Sequence, residues 1–215
     1  MFIGHFAVGM AAKQIKPTLS LGTLFLAAQF LDLLWPTLLL LGIEHVTIAP
    51  GISKMTPLDF VDYPISHSLL VVIFWSLLFG VGFFLFTKNR TGALILASLV
   101  LSHWLLDLVV HIPDLPLYPG ASPKVGLGMW NSPFLTLLIE GVIFIAGLVS
   151  YLHIKKKQEQ PVTWKFWSLV AFLIIVYLMN FIGPPPPNVY MIALAGQLQW
   201  LFVIWGWWAD KQKPR

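Results

Sequence analysis

His103, Asp107 and His111 follow one another at intervals of four inside the apolar run TGALILASLVLSHWLLDLVVHI, residues 91–112. On an α-helix a step of four residues turns only ~40°, so the three side chains stack along one face. A charged group in hydrocarbon costs ~2.5–3.5 kcal/mol even on insertion scales, so an acid between two imidazoles needs a partner. A metal cation suits both, because imidazole nitrogen and carboxylate oxygen are its usual donors. Four more candidate groups, His5, Asp32, His67 and Glu140, lie in or beside other apolar runs.

Such groups meet only if several apolar segments fold against one another. Of 215 residues, 58% are hydrophobic and 10% charged, and the mean hydropathy is +0.81. A soluble domain of this size needs a polar surface that this composition does not supply. The sequence therefore predicts an all-α polytopic membrane bundle, one integral membrane domain over residues 1–215. Six segments reach the ~20 residues that a crossing takes. They are residues 19–43, 66–86, 91–112, 133–153, 164–182 and 189–209. Residues 2–15 are too short to cross and predict a re-entrant or interfacial helix; Gly4 and Gly9 would let a re-entrant one pack closely. The absence of cysteine excludes disulfides, thiolate ligands and cysteine nucleophiles.

The basic residues set the orientation. Lys13, Lys16, Lys88, Arg90, Lys155, Lys156, Lys157, Lys165, Lys211, Lys213 and Arg215 fall on one side of the six spans, and only Lys54 and Lys124 on the other. The positive-inside rule then places both termini in the cytoplasm, as expected of a plasma (inner) membrane protein. Because the cations flank spans rather than cluster on a soluble face, nucleic acid is not an expected partner. The long outer connections, residues 44–65 and 113–132, are rich in Pro, Gly and Asp, and the run 183–188 is a stiff polyproline crossover. Trp130, Trp164, Trp167, Trp207 and Trp208 lie at span ends and are assigned to the interfacial aromatic belt.

Depth then sorts the polar groups. At ~1.5 Å per residue from the outer ends, Asp32 lies ~15 Å deep, His103 ~13 Å, Asp107 about half that, and Glu140 ~10 Å. A re-entrant helix would carry His5 to the same middle layer, and a loop that dips inward would bring His67. Taken singly, a buried His is more often a hydrogen-bond partner between helices, a lone acid a proton carrier or helix clamp, and Ser66 or Ser68 a helix cap. Taken together, His5, Asp32, His67, His103 and Asp107 satisfy one another best around a cation. His45, Asp59, Asp62, His153 and Asp210 are expected to be solvated, while His111 and Asp114 sit near the outer interface with no role assigned.

The set Gly4-His5, then Asp32 in a helix, then Ser66-His67-Ser68, then Ser102-His103-x-x-x-Asp107 with Pro113 shortly after, resembles the membrane-bound metal-dependent hydrolase family. That family is distantly related to the zinc-dependent phospholipase C group. Its pattern runs GH, PDxDH, HRGxTHS and SHxxxD in the same order, so the resemblance spans the first half of the chain. It implies that His5, Asp32, His67, His103 and Asp107 are metal ligands. Leu34 and Trp35 stand where the family has a second acid and the following His, and Tyr63 lies near the place of its unmatched first His. These departures favour one metal over two.

The leading expectation is a hydrolase of the membrane that uses one divalent ion, zinc before manganese or iron, on a lipid-like or phosphoester substrate. A cation that acidifies water makes hydroxide available at neutral pH, and Asp107 or Glu140 would orient that water or take its proton. The alternative is a proton- or cation-coupled transporter using the same Asp, Glu and His groups. A haem protein with axial histidines ranks third, and a structural role for the polar groups is the remaining reading. The partners expected are the bilayer and the substrate; oligomeric state is not assigned.

Overall fold

In the computed structural model, which describes residues 1–211, a short helix α1 (Ile3–Ala12) precedes two half-length helices, α2 (Leu21–Ala28) and α3 (Phe30–Leu40). A hairpin of β1 (His45–Ile48) and β2 (Leu58–Asp62) leads into the long helices α4 (Leu69–Thr87) and α5 (Arg90–Val110). A two-residue ladder, β3 (Leu115–Pro116) with β4 (Lys124–Val125), then precedes α6 (Pro133–Lys157) and α7 (Trp164–Ile182). Helices α8 (Val189–Gln197) and α9 (Gln199–Asp210) follow. Lys213 and Arg215, which entered the charge asymmetry, lie outside the described residues.

Helix starts follow local chemistry. Ser20, Asn89, Ser132 and Asn188 each accept the amide hydrogen of the third residue on, satisfying a donor that the first helical turn leaves free. Pro133 occupies the first position of α6, where its missing N–H costs nothing. Lys88, left-handed at φ 55°, stops α4 and turns the chain into α5 within two residues.

Among the described residues five helices are long and apolar enough to cross a membrane, α8 and α9 counting as one, and the bent pair α2–α3 makes six. Helix α4 illustrates the environment: Leu70, Phe74, Leu77, Val81 and Leu85 are exposed in an otherwise apolar helix, as lipid contact requires. The chain is a polytopic helical membrane bundle.

Three features depart from the sequence reading. Residues 19–43 do not form one straight span but break at Gln29, with a bend of 57° between α2 and α3. Gln29 is no helix breaker by type. Its backbone sits at φ −104°, ψ 3°, and its buried amide donates to Asp32 Oδ2 at 3.2 Å and to Gln199 Oε1 at 2.5 Å. Polar pairing across to the junction of α8 and α9 therefore holds the bend. Pro36 inside α3 also removes the amide that would bond the Asp32 carbonyl.

The second departure is Asp210, expected to be solvated. It is 7% exposed, ion-paired with Lys13 and with Lys155 Nζ (2.9 Å), and accepts from Tyr151 Oη at 3.2 Å and Leu21 N at 2.9 Å. This cluster ties the last turns of α1, α6 and α9 to the start of α2, so two of the presumed interfacial lysines are structural. The third is Trp130, to which the sequence reading assigns no chemistry: its ring packs against that of His111, centroids 4.0 Å apart.

Helix α1 is neither solvated nor flat on a surface. Ile3, Gly4, His5, Phe6, Ala7, Gly9, Met10 and Ala12 are all buried, which is burial all around the helix rather than on one stripe. It packs on α6 where a Cβ on Gly147 would lie 2.3 Å from the Ala7 carbonyl, so only glycine permits the approach. Gly9 likewise leaves room for Phe25. Burial of α1 delivers His5 to the centre of the bundle.

Candidate metal centre

Five elements converge on one point: α1 with His5, the first turn of α3 with Asp32, the loop before α4 with His67, α5 with His103 and Asp107, and α6 with Glu140. His67 is not helical. Its loop dips inward, leaving the residue 3% exposed. Asp32 sits just past the bend, where a helix N-terminus favours negative charge.

The donor atoms have defined partners on their far sides. His103 Nδ1 donates to the Ala28 carbonyl at 2.8 Å, the last residue before the bend. That bond fixes the tautomer and turns the Nε2 lone pair toward the acids, 3.1 Å from Asp107 Oδ2 and 3.7 Å from Asp32 Oδ1. His67 is set by a relay. Ser66 Oγ donates to Glu44 Oε2 at 2.6 Å, which leaves the serine oxygen to accept from His67 Nδ1 at 2.7 Å. Buried Glu44 also accepts the Ile65 and Ser66 amides at 2.7 and 2.8 Å, locking the loop. His67 Nε2 then faces Asp32 Oδ1 at 3.6 Å and Asp107 Oδ2 at 3.7 Å.

These four donors, His67 Nε2, His103 Nε2, Asp32 Oδ1 and Asp107 Oδ2, have four cross-spacings of 3.1 to 3.7 Å. Imidazole nitrogens and carboxylate oxygens at these spacings form a buried cluster that could hold a metal ion. The Nε2 atom of His103 is fully buried with no hydrogen-bond partner, as expected of a nitrogen kept for a cation.

His5 meets the other oxygen of the same carboxylate: its Nε2 lies 3.1 Å from Asp107 Oδ1, and its ring stacks on His103 with centroids 3.6 Å apart. The Met1 nitrogen contacts that oxygen too. Two overlapping triads result, His5–His103–Asp107 and Asp32–His67–His103, and either can hold a metal ion. All five residues singled out in the sequence are thus together. Glu140, 2% exposed, is not part of either triad; it accepts the Phe2 amide at 3.0 Å and lines the same cavity as Asp32, His67 and Asp107.

The sequence reading left His111 and Asp114 unplaced. Both are buried: His111 Nδ1 lies 2.8 Å from Asp114 Oδ1, which also accepts the Tyr63 hydroxyl at 2.9 Å. Burial first, then the Asp114 carboxylate, hold the Tyr63 phenol well above its ordinary pKa. The reading missed Gln29, Glu44 and Ser66 as supports. Ser66 enters that reading only as a possible helix cap and as part of the Ser66-His67-Ser68 element, with no role toward the His67 ring; Ser68 is the N-cap residue but its hydroxyl bonds the Pro64 carbonyl.

Support of this kind has a measurable weight. Ser66→Ala frees the His67 ring to rotate and should weaken metal binding ~10–100-fold, the usual cost of losing an outer hydrogen bond. Competition with a chelator checks it, and an unchanged affinity would mean that His67 is not a ligand.

The fold and site together define a polytopic α-helical membrane protein with a buried His/Asp cluster able to bind metal. Comparison of the chain with protein-family models, with curated proteins and with solved structures finds no match.

Proposed function

We propose that the protein is a membrane-embedded, metal-dependent hydrolase acting on a lipid-like or phosphoester substrate. The observation that carries this reading is a pair of overlapping three-residue His/Asp groups beside a cavity, each leaving a fourth position of a tetrahedral ion free. Asp32, His67 and Asp107 all line the cavity, and the Asp32 side chain is 23% exposed. A structural metal site is closed by protein, whereas a catalytic one keeps a position for water or substrate. The ordered resemblance of Gly4-His5, Ser66-His67-Ser68 and Ser102-His103-x-x-x-Asp107 to the membrane-bound metal-dependent hydrolases supports the same class.

Donors from His5, Asp32, His67, His103 and Asp107 would hold the ion in one or other of the two triads, which share His103. Zinc suits such imidazole and carboxylate donors. When bound, the ion supplies Lewis acidity and lowers the pKa of water toward ~7. Glu140, outside both triads and on the cavity wall, takes the proton of the attacking water. The water oxygen bonds to the ester centre, the ester C–O or P–O bond breaks, and Glu140 returns the proton to the leaving oxygen. His5, pinned against Asp107, orients that carboxylate.

Elemental analysis of purified protein is the direct test. About one divalent ion per chain without a haem spectrum, together with turnover of a lipid or phosphoester substrate, is the expected result. Absence of bound metal with pH-dependent flux across vesicles would favour a proton-coupled transporter instead.

The split of eleven basic residues against two supports cytoplasmic ends in a plasma (inner) membrane. Reporter fusions near Pro123 should report the far side, and a cytoplasmic signal there would reverse the orientation.

A further inference from the structure

The cavity beside the cluster measures about 1400 Å³, more than the ~300–1,000 Å³ typical of sites for drug-sized ligands. One wall is α7 and the other α8–α9. At one end the two walls are clamped: Trp205 Nε1 donates to the Lys165 carbonyl at 3.1 Å, and the Trp164 and Trp208 rings meet edge to face at 5.2 Å. At the other end α7 leaves its partner and hardly touches α8. Between the two walls the cavity is lined by exposed apolar side chains of both, among them Met179, Met191, Leu201 and Ile204.

A cleft that opens sideways into hydrocarbon is filled by hydrocarbon, because water in it would have few polar partners. The inner end is different. Tyr177, 7% exposed, and Trp35, also 7% exposed, both line the cavity, and the hydroxyl of one and the indole N–H of the other have no hydrogen-bond partner. Buried donors of this kind are matched in native proteins, so an acceptor from outside the chain is called for. The same inner end carries Asp32, His67, Asp107 and Glu140.

We infer that this cleft is the binding site of a phospholipid, which enters sideways between α7 and α8–α9. Its acyl chains lie along the two helices, and its phosphoester oxygens accept from Tyr177 and Trp35 beside the His/Asp cluster. An anionic, acceptor-rich phosphate complements both the unmatched donors and a cation. A water-soluble phosphoester matches the inner end but leaves the apolar walls uncovered. The inference rests on the hydrolase reading only for what happens to the bound lipid, not for its binding.

The test is photolabelling in phosphatidylcholine vesicles doped with a phosphatidic acid that carries a diazirine near one chain end. Label should concentrate on residues 172–181 of α7 and 191–204 of α8–α9 and fall when unlabelled phosphatidic acid is added. Label on α4, which faces bulk lipid, should not be competed. Ile204→Trp and Met191→Trp, which fill the cleft, should each lower the competed label about tenfold, equivalent to ~1.4 kcal/mol, with metal content unchanged. Even, uncompeted labelling of α4, α7 and α9 in the wild-type protein overturns the inference, whether or not the variants fold. Competed label without cleavage of the lipid in metal-loaded protein leaves the binding site standing and removes the hydrolase reading. Cleavage of a soluble phosphoester without competed label does the reverse.

Discussion

Asp107→Asn is expected to strip the metal from the protein and to abolish hydrolysis, with metal content falling from about one ion per chain to a small fraction of that. No other side chain touches as much of the cluster. Its Oδ2 lies 3.1 Å from His103 and 3.7 Å from His67, while its Oδ1 lies 3.1 Å from His5. Asparagine keeps the shape but removes the charge, which matters most where the surroundings are dry: Asp107 is 2% exposed. Loss of an outer hydrogen bond costs ~10–100-fold in metal affinity, so loss of a charged donor should exceed ~100-fold. The amide also presents N–H hydrogens toward imidazole lone pairs already oriented by Ala28 and by the Ser66 relay, and these occupy the nitrogens that would bind metal. Elemental analysis beside Asp62→Asn, an exposed carboxylate in β2, separates this from a general charge effect. Full metal occupancy in Asp107→Asn would place the ion elsewhere.

The cluster was legible because charge is rare in this chain. With 10% of residues charged, a His or acid inside an apolar run is conspicuous, and depth counting brings His5, Asp32, His103 and Asp107 to one layer. Span number and the short first helix follow from length and hydropathy alone. The bend at Gln29 was not legible, because glutamine is an ordinary helix former and the bond that holds it comes from Gln199, 170 residues away. Pro36 was the visible warning, though it falls seven residues past the break. Asp210 was misjudged for a related reason: a charge at a span end is normally solvated, and only tertiary packing brings Lys13 and Lys155 to it. Glu44 and Ser66 illustrate the general limit. Metal donors stand out by type, whereas the groups that orient them are common polar residues whose role depends on where a loop dips.

Glu140→Gln should leave the fold and the bound metal in place and reduce turnover by ~10²–10⁴-fold, the range set by removing a general base. Glutamine has the volume and one of the acceptors of glutamate, so the bond from the Phe2 amide, 3.0 Å in the present protein, is retained. Neither triad includes Glu140, so metal affinity has no reason to change. What is lost is the ability to take a proton from water at the cavity wall and return it to the leaving oxygen. The two readings of the site part on this variant. In a hydrolase the amide abolishes turnover over the whole pH range while the metal stays. In a proton-coupled transporter the same change alters the pH dependence of flux, since the titrating group is gone while the path remains. Metal analysis, hydrolysis and flux measured on one preparation distinguish them. Unchanged hydrolysis and unchanged flux would reduce Glu140 to a packing residue that anchors the start of α1 to α6, and the base would have to be sought at Asp107 or His5.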